Sequence, residues 1–264
     1  CLMYASVALG FMTKGPVAVV LPGAAFFVYL LIEKRLRDIT KMMFPAGLAI
    51  FSAIVVPWYL LVYQKHGCDY IVSFILNENI SRYTDEGWGP GRSFFYLGTM
   101  IGDLFPWSIL LIAALVFVLF RRKFGERIFG EDGFPHARLM AIWTVVIVGF
   151  YSLSRNQQDQ YMMPTYLAAA VLVGALIASS AEKYLSSVRW IFFGMGALLA
   201  SVGGALLYLN ASGSSVDLAG TGEIGMVLLI GGITVLVFAA ARKSEIAAYS
   251  QVLAVAGVMW IFVL

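Results

Sequence analysis

"MMFPAGLAIFSAIVVPWYLLVY", residues 42–63, contains no charged side chain. A hydrocarbon core ~30 Å thick is crossed by a helix of ~20 residues, so this run is long enough to span a bilayer. Residues 17–32, 97–120, 139–153, 161–179, 188–209, 224–241 and 251–264 are also nearly free of charge. Across all 264 residues, 61% are hydrophobic and 12% charged, and the mean hydropathy is +0.85. A water-soluble globule needs a polar shell, with roughly a quarter of its residues charged. Lipid admits only helices or closed barrels as spanning structures. The apolar runs are continuous rather than alternating, so the fold class is all-α, a polytopic transmembrane helical bundle.

The connections between the runs fall into two sets. One holds Lys34, Arg35, Arg37, Lys41, Arg121, Arg122, Lys123, Arg127, Arg138, Lys183, Arg189, Arg242 and Lys243; the other holds only Lys14, Lys65, Arg82, Arg92 and Arg155. The positive-inside rule assigns the first set to the cytoplasm. The second set, including the long external loop 64–97, then faces outward. Within that loop, "DYIVSFILNENISRY" has mostly helical apolar spacing and a polar end, which suits an interfacial helix. "DEGWGPG" breaks it, since glycine and proline mark turns. The small residues of "GMGALLASVGGALL" are the kind that let membrane helices pack closely.

Three places at the outward face could carry chemistry. Lys14 in "FMTKGPV" either snorkels to the headgroups or supplies a point charge for a phosphate. Arg82 ends the interfacial segment, which is otherwise a plain surface connection. "SLSRNQQDQYMMP" is either an ordinary polar hairpin or an anion site in which Arg155 and Tyr161 donate hydrogen bonds. Together they would form a cationic pocket at headgroup depth, suited to a phosphate-bearing lipid. No cofactor is identified and no metal site is expected. His66 and His136 fall on opposite faces, and Cys1 and Cys68 have no ligand spacing.

"TKGPVAVVLP", "PWYLLVYQKHG" leading into "NENISRY", "FPWSILL" and "SLSRNQQDQYMMP" occur in this order. They resemble the C-type membrane glycosyltransferases of the protein O-mannosyltransferase-like and 4-amino-4-deoxy-L-arabinose transferase-like group. The resemblance covers residues 1–173 as a transmembrane core, and residues 174–264 are expected to add further membrane helices. It implies transfer of a sugar from a polyprenyl-phosphate donor, such as undecaprenyl phosphate, to an acceptor: lipid A, a protein or a glycan. The setting implied is the outer face of a bacterial inner membrane, in a multi-pass protein. It also implies that Arg82 and Tyr161 bind the lipid phosphate, with Lys14 and Arg155 beside them. Glu78, Asp85 and Glu86 are candidates for sugar contact or for pairing with Arg82.

The sequence departs from the family pattern in three places. Gln157 replaces a lysine, Asp159 stands where proline is common, and Asn79 takes the place of a histidine. The family's general base is an aspartate in the first external loop, expected upstream of Cys1. The chain is accordingly expected to be a piece of a longer protein, inactive alone. A transporter or lipid flippase is the alternative reading, but such proteins place their polar groups near the bilayer midplane. Here they gather at the outer edge.

Overall fold

The computed structural model describes residues 2–84, 94–181, 186–212, 220–241 and 243–263. All regular structure among them is helical. Five helical stretches are long and apolar enough to cross a membrane: Phe44–Asn77, Phe134–Ser152, Asp159–Ala178, Arg189–Ala211 and Thr221–Ala240. A sixth is reached if Phe95–Asp103 and Ser108–Phe120 together count as one broken span. The protein is a multi-pass membrane protein. Side chains such as Leu167, Leu253 and Trp260, which face outward, are apolar as a lipid solvent requires.

The chain divides into two compact units. The first comprises residues 1–104 and 135–171. It opens with α1 (Leu2–Lys14), α2 (Val17–Ile32), a 3-10 helix (Leu36–Met42) and α3 (Phe44–Val72). A π-helical segment (Ser73–Ser81) and the one-turn α4 (Arg82–Thr84) follow, then α5 (Phe95–Asp103). α8 (Phe134–Ser152), a 3-10 turn (Asp159–Met162) and the first part of α9 (Met163–Ala181) complete it.

α1 and α2 are joined through Gly15 and Pro16 alone. Gly15 has φ +71°, a conformation glycine adopts without steric penalty, and its N–H closes α1 on Phe11 O at 2.8 Å. Proline then starts α2, where a missing N–H costs nothing. α1 packs on α3 through the Tyr4 ring over Gly47, where a Cβ would lie 2.2 Å from the ring. Phe11 meets Phe51 edge-on at 5.4 Å. At the other end of α2, Glu33 accepts a hydrogen bond from Arg138 of α8 at 2.6 Å, with side-chain exposures of 17% and 11%. Trp143 Nε1 donates to Pro164 O at 3.1 Å and ties α8 to α9.

The second unit comprises residues 105–134 and 172–264. It contains α6 (Ser108–Phe120), α7 (Arg122–Phe129), the rest of α9, α10 (Ser186–Ala211), α11 (Thr221–Ala240) and α12 (Ser244–Val263). α10 and α11 touch backbone to backbone. A Cβ on Gly203 would lie 2.4 Å from Leu229 N, and one on Gly232 would lie 2.4 Å from Ala200 N. Gly231 gives α12 the same closeness at Ala254. With lipid on all sides there is no hydrophobic drive between helices, so small residues that permit close approach hold such a seam. In α7, Gly125 lies under the Phe134 ring.

One apolar run is organised differently from its hydropathy. Residues 97–120 form two helices rather than one, interrupted at Pro106. Proline lacks the N–H that the ladder needs, and it pushes the preceding residue out of the helical region. The stretch after Lys65 is a separate helical segment, as its sequence predicts: the backbone breaks at Gly67 (φ 76°, ψ −175°), and the part of α3 beyond it leads into the π-helical segment.

Candidate functional site

A cleft of about 190 Å³ in the first unit gathers residues from four separated stretches of sequence. Its lining includes Lys14, Asn79, Tyr83, Tyr151, Ser154 and Tyr161. Lys14 is the last residue of α1, exposed, and presented by the tight Gly15 turn. That turn is fitted against Asn79, whose amide would meet a Cβ on Gly15 at 2.7 Å. Asn79 is held in turn by donating from Nδ2 to Phe74 O at 2.9 Å, a backward reach that the wider π-helical winding allows.

Tyr83 pins the segment after Arg82 to the loop that follows α8. Its hydroxyl donates to Phe150 O at 2.9 Å, and its carbonyl accepts the Arg155 N–H at 3.2 Å. Burial raises the Tyr83 hydroxyl above its ordinary pKa of 10.0. The Ser154 hydroxyl donates to Asn156 O at 3.1 Å and accepts the Asn156 N–H at 3.2 Å, which closes the loop on itself. Tyr96, fully buried, accepts the Gln158 N–H on its hydroxyl at 3.0 Å. The Tyr151 and Tyr161 rings stack at 4.6 Å. The result is a rigid aromatic wall with one ammonium group and several hydroxyls facing a single hollow. Such a set can hold an anion by charge and by donated hydrogen bonds.

Of the residues singled out in the sequence, Lys14 and Tyr161 share this cleft. Arg155 lies in the adjoining loop, exposed, with its backbone bound to Tyr83. Arg82 starts α4 immediately before Tyr83, and Glu78 lies in the π-helical segment. The side chains of Arg82 and Glu78, and the whole of Asp85 and Glu86, lie outside the described residues. Gln157, at the family's lysine position, is buried at 5% exposure. Asp159 accepts from Thr99 Oγ1 at 3.3 Å. Among the described residues no group of three His, Cys, Asp or Glu side chains is placed to hold a metal.

Sequence reasoning overlooked Thr13, Tyr83, Tyr151 and Ser154, all in the lining. Thr13, Tyr83 and Ser154 are each next to a residue it had named, and Tyr151 immediately precedes the motif that begins at Ser152. The signal was their closeness in sequence to Lys14, Arg82 and Arg155.

No protein-family model matches the chain. Its sequence is 28% identical over 210 residues to the undecaprenyl phosphate-α-4-amino-4-deoxy-L-arabinose arabinosyl transferase of Pectobacterium carotovorum, covering 78% of this chain and 36% of that protein. The transferase of the same description from Pseudomonas aeruginosa is 32% identical over 169 residues, covering 63% and 28%. The chain thus spans about a third of the length of these relatives. The crystal structure of ArnT from Cupriavidus metallidurans bound to undecaprenyl phosphate superposes with a TM-score of 0.70 at 19% identity, covering 98% of this chain and 46% of that one. The same helical arrangement, and a sequence likeness shared with several arabinosyl transferases, make this chain a homologue of the ArnT-type (C-type) membrane glycosyltransferases that covers part of their length.

Proposed function

We propose that the cleft at Lys14 and Tyr161 holds the phosphate of a polyprenyl-phosphate sugar donor, in a glycosyltransferase acting at the outer face of a bacterial inner membrane. The observation that carries this reading is the convergence of Lys14, Asn79, Tyr83, Ser154 and Tyr161 on one hollow. That the Cupriavidus protein was crystallised with undecaprenyl phosphate supports a lipid donor of that class. In the reaction an acceptor hydroxyl oxygen attacks the anomeric carbon. The bond from that carbon to the phosphate oxygen breaks, and the polyprenyl phosphate leaves with the electron pair. The acceptor's proton passes to a carboxylate. Lys14 and the Tyr161 hydroxyl, with Arg82 and Arg155 beside them, stabilise the charge that develops on the phosphate, the term that usually dominates such catalysis. Glu78, Asp85 and Glu86 are assigned to sugar contact or to pairing with Arg82. The general base is assigned to chain upstream of Cys1, so turnover needs the longer protein. The acceptor is lipid A, a protein or a glycan.

The test is sugar transfer from a radiolabelled undecaprenyl-phosphate donor in vesicles containing the full-length protein. Tyr161→Phe and Arg82→Ala are expected to abolish transfer while membrane insertion stays intact. Full activity in both variants would remove these roles.

A further inference from the structure

The first unit has a second hollow, at the ends of α1 and α2 away from Lys14. It is a groove of about 460 Å³, within the ~300–1,000 Å³ range of ligand sites. Its walls are apolar, with Val7 of α1, Phe26 and Leu30 of α2, and Leu48 and Phe51 of α3 among them. Tyr4 carries a hydroxyl into the lining, and that hydroxyl is already committed to Met42 O.

The 3-10 helix Leu36–Met42 closes one side of the groove with Ile39 and Met42. The same short helix, with the residue pair before it, bears Lys34, Arg35, Arg37 and Lys41. Asp38 engages Arg35 at 2.7 Å and Lys41 at 2.6 Å. Those two partners, Lys41 foremost, hold its carboxyl below the usual carboxylate range. Lys34 and Arg37 are exposed and have no acidic partner among the described residues. The segment that walls one side of the apolar slot with Ile39 and Met42 therefore also carries exposed cations. Basic residues beside membrane helices are the usual seat of anionic lipid headgroups.

We propose that this groove binds an anionic phospholipid, its phosphate against Lys34 and Arg37 and one acyl chain in the slot between α1, α2 and α3. A zwitterionic lipid would match the slot but not the cations. A polyprenyl donor with its phosphate at Lys14 would bring only its tail to the slot and would leave Lys34 and Arg37 without an anion. Ten residues of helix, about 15 Å, separate Tyr4 from Lys14 along α1. The site is independent of the proposed transferase cleft, and it holds whether or not that function does.

The test measures lipid that stays with the purified protein by native mass spectrometry, after reconstitution in phosphatidylcholine nanodiscs with and without phosphatidylglycerol. Phosphatidylglycerol is expected to be retained in preference to phosphatidylcholine. The Lys34→Gln/Arg37→Gln variant is expected to lower that preference roughly tenfold. Gly23 lines the slot, and a Cβ there would meet nothing within 4 Å. Gly23→Leu places a branched side chain at the slot without a clash at its Cβ, and it is expected to release the bound lipid while the protein still unfolds in one cooperative thermal transition. Equal retention of the two phospholipids would overturn the proposal, as would unchanged retention in Gly23→Leu. Displacement of phosphatidylglycerol by equimolar undecaprenyl phosphate would also overturn it, by making the slot a channel for the donor's tail.

Discussion

Tyr151 and Tyr161 lie face to face, their ring centroids 4.6 Å apart and their planes 18° from parallel. One lies in the last turn of α8 and the other within the 3-10 turn that leads into α9, so the stack fixes Tyr161 from outside its own segment. Aromatic pairs of this kind contribute about 0.5–1.5 kcal/mol beyond their buried area. Tyr151→Leu is therefore expected to weaken binding of undecaprenyl phosphate about fivefold, while Tyr151→Phe keeps the stack and leaves it unchanged. Titration of fluorescent polyprenyl phosphate into the reconstituted protein checks this.

Gly15 is constrained twice, by φ +71° and by the Asn79 amide 2.7 Å from where its Cβ would be. Gly15→Ala is expected to cost about 1–2 kcal/mol from the backbone alone and to shift Lys14 away from the cleft. Adding Asn79→Ala removes the collision but not the backbone strain, so recovery of donor binding should be partial. Full recovery in the double variant would show that the left-handed turn itself is dispensable.

The seam between α10 and α11 separates two neighbouring glycines. A Cβ on Gly203 would press on backbone atoms of α11, whereas one on Gly204 meets nothing within 4 Å. Gly203→Ala is expected to destabilise by about 1–3 kcal/mol, the usual penalty of overpacking. Gly204→Ala should be neutral or stabilising, since alanine is the better helix former by roughly 1 kcal/mol. Thermal unfolding of the two variants in detergent, side by side, tests the contrast.

Glu33 and Arg138 form a largely buried pair, while Asp38 and its partners lie at the surface. Removing one member of a buried pair costs about 3–5 kcal/mol because the other charge keeps its desolvation penalty. Surface pairs contribute about 0–1 kcal/mol. Glu33→Ala is thus expected to lower the unfolding temperature clearly and Asp38→Ala hardly at all.

Tyr83 makes the stability of the loop after α8 depend on alkaline pH. Its hydroxyl titrates above the ordinary 10.0 because burial disfavours the phenolate. The folded state therefore prefers the protonated form. The stabilisation is fully present below pH 10 and is lost as pH rises through the higher folded value. Tyr83→Phe is expected to cost about 1 kcal/mol at neutral pH through the lost bond to Phe150 O, and to flatten the decline above pH 10. Unfolding curves at neutral and alkaline pH give the measurement.

The membrane fold was legible in the sequence because hydropathy reports what lipid demands, and residues 42–63 announce it without a single charge. Local breaks were less legible. Pro106 interrupts the run 97–120 through backbone geometry, which an average over side-chain hydrophobicity does not register. The sequence also marked Lys14 and Tyr161, which the structure brings to one cleft. It did not single out Tyr83 or Tyr151. A tyrosine beside a membrane span reads as an ordinary headgroup anchor, and only tertiary contacts distinguish a belt residue from a wall of a binding site. The groove near Tyr4 was invisible for a related reason. Apolar residues facing a hollow have the same composition as apolar residues facing lipid.

Gly67 also sets a length. From Phe44 to the break, α3 rises about 34 Å at ~1.5 Å per residue, close to the ~30 Å of a hydrocarbon core. Without the break, the continuous Phe44–Asn77 helix would approach 50 Å at the same rise and would need a steep tilt or a locally thickened bilayer. A single permissive residue thus separates a helix of span length from the segment that brings Phe74 and Asn79 to the cleft.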